Sequence, residues 1–153
     1  MQIRTPPRAA HRARTGFTAL ELLVVMAITA VLCSIAYPSF RAQIEKSRRA
    51  DAIESLVQVQ MAEERWRASR SSYGGLSEIG ATSLSTAGHY SLAIGSISSS
   101  GYEILATARG AQSLDAPCRH LRLGVDGANF AYASGPDASV ANSADLNRRC
   151  WSL

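Results

Sequence analysis

Glu21 stands at the upstream edge of a long apolar run, and no charged side chain follows it until Arg41. As a helix, the stretch from Leu22 to Phe40 reaches across most of a bilayer core about 30 Å thick. A carboxylate beside such a run is costly, so it marks a functional position that needs a counter-charge. The structural alternative is snorkelling to the headgroups, since Glu21 lies about one turn from the helix end. The other residues with chemical potential do not converge. His11, His89 and His120 have no Cys or carboxylate at ligand spacing, and no nucleophile elbow or phosphate loop is present. Asp126, Asp137 and Asp145 carry oxygens, but their spacing matches no calcium loop. No enzyme, no metal and no cofactor is expected from these residues.

Gly16-Phe17-Thr18-Ala19-Leu20-Glu21, followed by Leu22-Leu23-Val24-Val25-Met26-Ala27-Ile28, resembles the processing signature of type IV pilins and pseudopilins. A Gly, an aromatic, a Glu and a long apolar run in one register make this more specific than a lone short motif. The resemblance implies that a prepilin peptidase cuts between Gly16 and Phe17 and N-methylates the new amino terminus. It also gives Glu21 a role in assembly, paired with the methylated amine of Phe17 on a neighbouring subunit. A conventional secretory signal fits less well, because the apolar run is too long and no A-x-A-like site follows it.

The formal net charge of +4 is no surface property on this reading. Arg4, Arg8, Arg12 and Arg14 all precede the cut and no acid does, leaving twelve basic side chains against twelve acidic ones. The basic leader then acts as a topology signal, keeping the N-terminus cytoplasmic and the head periplasmic. The expected life history is an inner-membrane precursor with one membrane pass, followed by an extracellular pilus.

The elements that must position these residues follow in order. Residues 1–16 form the cleaved leader and 17–40 the transmembrane or filament-core helix. Residues 41–153 form a soluble head, in which the helix continues to about Arg70. Pro38 removes one backbone hydrogen bond, so a kink is expected between Ala36 and Phe40, as the family has at the matching place. Ala50, Ala52, Ile53, Leu56, Val57, Val59 and Met61 share one broad arc of the second half, with Asp51, Glu54, Gln58 and Arg65 opposite. Residues 71–88 read as a loop, docked through Tyr73-Gly74-Gly75-Leu76. Four alternating runs at Tyr90–Gly95, Tyr102–Arg109, Leu121–Val125 and Phe130–Tyr132 predict a sheet over 89–133, with Asp126-Gly127 as a hairpin turn. The fold class is therefore α+β: a long N-terminal helix packed on a four-stranded antiparallel sheet. The tail, residues 134–153, reads as irregular.

Cys33 lies in the apolar run, on a face of small residues with Ala19, Ala27, Ala30 and Ser34, and has a packing role there. Cys118 and Cys150 lie beyond the membrane segment, where an oxidising compartment favours their pairing. The resemblance implies the same, since a C-terminal disulfide delimits such a loop in pilins. The closing Cys150-Trp151 and the run Cys118-Arg119-His120-Leu121-Arg122-Leu123 are similar to minor pilins of the E type. With that bridge, Arg119, Arg148 and Arg149 approach one another as a weak basic patch, offset by Asp115 and Asp145. The balanced charge of the head predicts weak or no binding of duplex DNA at physiological salt.

The implied function is structural: a minor pilin that packs with other pilin subunits through its apolar helix. Its partners are the prepilin peptidase, the inner-membrane pilus assembly machinery and the membrane itself. Assembly, adhesion, twitching motility or DNA uptake then belong to the whole fibre. The rivals are a type II secretion pseudopilin and a pilus-associated module that binds DNA or a surface.

Overall fold

The computed structural model describes residues 16–151, so the basic leader, apart from Gly16, lies outside the described residues. The first helix, α1, spans Ala19–Arg67 with Pro38 inside it. The chain divides into two compact units, one ending at Ser39 and the other beginning at Phe40.

In the first unit every described residue is exposed. Here α1 is long and apolar enough to cross a membrane. Its start is set by a reciprocal cap. The Glu21 amide donates to Thr18 Oγ1 at 3.2 Å, and the Thr18 amide donates to Glu21 Oε2 at 3.0 Å. Thr-x-x-Glu is the sequence form of that arrangement, and it satisfies two donors that a helix terminus otherwise leaves unpaired.

In the second unit four antiparallel strands lie in the order β1-β2-β3-β4: Tyr90–Gly95, Gly101–Ala108, His120–Asp126 and Asn129–Gly135. Period-2 alternation places Tyr90 and Leu92, Tyr102, Ile104 and Ala106, and Leu121, Leu123 and Val125 on the buried face. Gly101 is required by close approach, since a Cβ there would meet the Val125 carbonyl oxygen at 2.0 Å. Gly127, at φ +58°, makes the tight β3–β4 turn, in which Asp126 pairs with Asn129. The type IV pilin architecture expected from the sequence is present: long helix, four-stranded antiparallel sheet and C-terminal disulfide.

The face that α1 buries is narrower and more polar than the arc read from hydropathy. Ala52, Leu56 and Val59 are buried in the same core as the sheet residues, and Ile53 packs at its edge. Ala50, Val57 and Met61 are exposed instead. The stripe is completed by Arg49, Ser55 and Glu63, all buried. A wheel ranked by apolarity centres the arc on the wrong side by part of a turn, because charged residues hold both ends of the true one. Asp51 is likewise not a solvated outer residue. Its carboxylate accepts Ser85 Oγ at 2.6 Å, the Ala87 amide at 2.8 Å and the His89 amide at 3.3 Å, which docks the end of the connecting segment.

Two further departures concern short elements. The connection from β2 to β3 contains two 3-10 turns, Gly110–Leu114 and Ala116–Cys118, and the second carries Cys118 to just before β3. The tail is not irregular throughout, because Ala144–Trp151 forms a second helix, α2. Asp145 in its first turn and Arg148 and Arg149 in its last complement the helix dipole. With only eight residues, it depends on tertiary anchoring rather than propensity.

The connecting segment between α1 and β1 docks where Tyr73 and Gly74 are buried. The Tyr73 and Tyr102 rings pack at 4.7 Å between centroids, and Arg70 stacks over Trp66 at 3.7 Å. Glu63 accepts the Gly74 amide at 3.0 Å. Burial raises the Glu63 carboxyl above its ordinary value of 4.5, against the opposing effect of that hydrogen bond. The folded head therefore binds this proton more readily than the unfolded chain does. The stability so contributed is full below pH 4.5 and is lost as pH rises through the elevated value. Glu63→Gln is expected to remove this dependence while keeping an acceptor for Gly74. Thermal midpoints of the two proteins should diverge on going from pH 4.5 to pH 7.5, with the variant the more stable at the upper end. Parallel curves would contradict a titrating Glu63.

Candidate functional site

Glu21 and Phe17 are both exposed, at the start of α1. Glu21 Oε2 takes both contacts from Thr18, at 3.0 Å from its amide and 3.0 Å from its hydroxyl. Among the described residues Oε1 has no hydrogen-bonded partner, so one carboxylate oxygen stays open for a cation. The carboxylate thus caps its own helix as well as facing outward. The Thr18-x-x-Glu21 spacing was the signal for this second role, and reading Glu21 as an assembly charge alone passed over it.

At the opposite end of the chain, Cys118 and Cys150 form a disulfide with their Cα atoms 5.4 Å apart. Both are fully buried, and Cys33 is a free, exposed cysteine of the first unit. Four more contacts anchor α2. The Trp151 indole N–H donates to the Ala133 carbonyl at 3.2 Å, and its ring meets Tyr132 edge-on at 5.0 Å. Asn147 accepts Ser134 Oγ at 2.9 Å and donates to the Tyr132 carbonyl at 2.6 Å. The bridge and these contacts hold the tail against β4.

The arginines expected to gather here are differently engaged. Arg148 forms an ion pair with Asp145 one turn earlier in α2. Arg119 donates to the Ser113 carbonyl at 3.1 Å and to the Pro136 carbonyl at 3.4 Å, while Arg149 is exposed. Burial and the adjacent Arg119 hold His120 below its ordinary value. It therefore adds no charge to this end of the sheet near neutral pH. Of the three aspartates weighed for calcium, Asp137 accepts from Ser139 and Asp145 is paired with Arg148. Among the described residues no group of three or more His, Cys, Asp or Glu side chains could hold a metal ion.

The most enclosed polar cluster was not legible in advance. Arg49 meets Asp115 at 2.5 Å, both nearly inaccessible to water. Gln112 donates to Asp115 Oδ2 at 3.2 Å, to the Tyr90 hydroxyl at 3.1 Å and to the Glu45 carbonyl at 3.2 Å. Burial pushes the Tyr90 phenol up to about 12. This cluster ties α1 to the first 3-10 turn, and no local sequence pattern brings residues 49, 90, 112 and 115 together.

Two family models match the chain. The prokaryotic N-terminal methylation motif covers residues 11–37. The model described as "Type IV minor pilin ComP, DNA uptake sequence receptor" covers residues 38–122, more than half the chain. The chain belongs to this family of type IV minor pilins. It is a structural subunit of a type IV pilus, which sets the type II secretion alternative aside. No curated protein matches the pilin closely enough to refine this. The methylation motif and the exposed apolar half of α1 make it a membrane-anchored precursor that later enters the pilus.

The disulfide closes a loop spanning 32 positions in the pilin, and a chain-entropy estimate gives the crosslink roughly 3.5 kcal/mol. Cys118→Ser and Cys150→Ser should each lower the thermal midpoint of the head and open the tail after Gly135 to protease. The double variant should be no worse than either single one, because both remove the same crosslink. Cys33→Ser should leave the head unchanged. Additive losses in the double variant would mean that the cysteines act separately.

Proposed function

We propose that this pilin serves DNA uptake, binding duplex DNA through its head while its N-terminal helix holds it in the fibre. The family match over residues 38–122 carries this reading. It covers the second half of α1, the connecting segment and the sheet as far as β3. The family's description is of a DNA uptake receptor. A balanced total charge argued for weak binding, but a sum over the head says little about a local surface. Full-length protein in detergent micelles, titrated into labelled duplex, should bind at low salt. Its affinity should fall linearly with the logarithm of salt concentration. Failure to bind duplex from its own genome, or any duplex, at low salt would overturn this reading while leaving membership of the pilus intact.

The same reading includes the route into the fibre. The precursor crosses the inner membrane once with its basic leader in the cytoplasm. A prepilin peptidase cuts after Gly16 and methylates Phe17, and the pilus assembly machinery packs the product with other pilins. Mass spectrometry of sheared fibres should find a mature chain that starts at methylated Phe17, and a retained leader would contradict the route. Glu21 permits a sharper test, because its cap and its charge can be separated. Glu21→Gln keeps a side chain able to cap Thr18 but removes the negative charge. It should enter fibres as poorly as Glu21→Ala. Normal entry of the Gln variant would assign Glu21 to the cap alone.

A further inference from the structure

Arg48, His89 and Arg109 line one cleft of about 340 Å³, rimmed by Gly88, Gly110 and Ala111. The three side chains come from α1, from the residue before β1 and from the residue after β2. The Arg109 amide donates to the His89 carbonyl at 2.9 Å, fixing these two as neighbours at one end of the sheet. Arg48 is positioned by the polar cluster beside it. The Gln112 amide holds the Glu45 carbonyl at 3.2 Å, and Arg49 next in sequence is locked to Asp115. The walls of the cleft are therefore set by buried contacts before any ligand arrives.

The charges in the cleft are not cancelled. Arg41, Arg49, Arg122 and Arg148 each have a carboxylate within 4.0 Å. Among the described residues Arg48 and Arg109 form no ion pair, and their guanidinium groups make no hydrogen bond. The acids nearby are already committed. Asp115 is neutralised by Arg49, and Asp51 keeps its charge but has its oxygens occupied by three neutral donors from residues 85–89, which leaves two guanidinium groups against one carboxylate. Gly88 and Gly110 adopt φ of +75° and +54°, and a Cβ on either would point into open space, so the rim is uncovered.

We propose that this cleft seats a phosphate of the DNA backbone, which rests on the DNA-binding reading above and assigns it a contact point. Two unpaired guanidinium forks suit the oxygens of a phosphodiester, and an imidazole N–H supplies a further donor. In a duplex the bases stay stacked and the phosphates face outward, so the contact positions the duplex without reading its sequence. Arg119, whose carbonyl accepts the Ala108 amide at 2.8 Å, continues the basic row one strand further.

The test compares wild-type protein with the double variant Arg48→Gln, Arg109→Gln. Full-length chains in micelles are titrated into labelled duplex from the source genome and into unrelated duplex, across a salt series. The variant should lose about tenfold in affinity for both duplexes alike, and its salt slope should fall by about 1. Its thermal midpoint should match wild type, since neither guanidinium makes a hydrogen bond or ion pair among the described residues. Arg48→Lys with Arg109→Lys should keep most of the slope, because the charge remains. Unchanged affinity and slope in the Gln variant would overturn the phosphate seat while the DNA reading stands. Normal DNA binding with exclusion from fibres would overturn it in favour of an acidic neighbour in the pilus. Weaker binding together with a lowered midpoint would also overturn it, assigning the arginines to the fold. If wild-type protein binds neither duplex, the seat falls along with the DNA reading.

Discussion

Arg49 and Asp115 meet at 2.5 Å with almost no access to water, and neither charge is tolerable there without the other. Removing one partner of such a pair costs about 3–5 kcal/mol, largely because a bare charge is left behind. The pair sets where α1 lies against the turn that follows β2, and that relation decides much else. It brings Gln112 under α1 to reach the Glu45 carbonyl and the Tyr90 hydroxyl. It leaves Arg48, one position earlier, at the edge of the cleft shared with His89 and Arg109. Its energetic value beside a well-packed apolar pair is small or negative.

The helix carries a complementary device one face-length later. Glu63 is fully buried and holds the Gly74 amide, at a place where any side chain on residue 74 would press within 2.9 Å of the Trp66 ring. Between Arg49 and Glu63 the fully buried apolar residues of α1 are Ala52, Leu56 and Val59, with Ile53 at the edge. Three side chains of that size contribute a few kcal/mol of burial. The polar anchors at both ends therefore define the register of helix on sheet, and the aromatic pair Tyr73–Tyr102 closes the far side.

How far the sequence disclosed this depended on the kind of interaction. Period-2 alternation is a local property, so Tyr90–Gly95, Gly101–Ala108 and His120–Asp126 were legible to within a residue or two. The processing signature was legible because Gly16, Phe17 and Glu21 stand in one fixed register. The buried stripe of α1 was misjudged because Arg49 and Glu63 are polar by type, and only partners 66 and 11 positions away make them internal. The second helix escaped because eight residues are too few for a period of 3.6 to stand out, and Asn147, Cys150 and Trp151 are fixed only when they meet β4 and Cys118. The cleft was invisible for the same reason: Arg48, His89 and Arg109 are joined only by folding.

The Cys118–Cys150 bond encloses β3, β4 and all but the last residue of α2 in a covalent ring, and residues 136–139 are an exposed stretch of it outside any strand or helix. Outside a cell such a stretch is open to peptidases. A single cut there would open the ring without releasing anything, since both new ends stay joined through sulfur to the rest of the head. The subunit would gain only the mass of one water and keep its place in the fibre, and its two pieces would separate only after reduction. For a molecule that cannot be resynthesised once it has left the cell, that makes the bond a safeguard against damage as well as a contribution to stability.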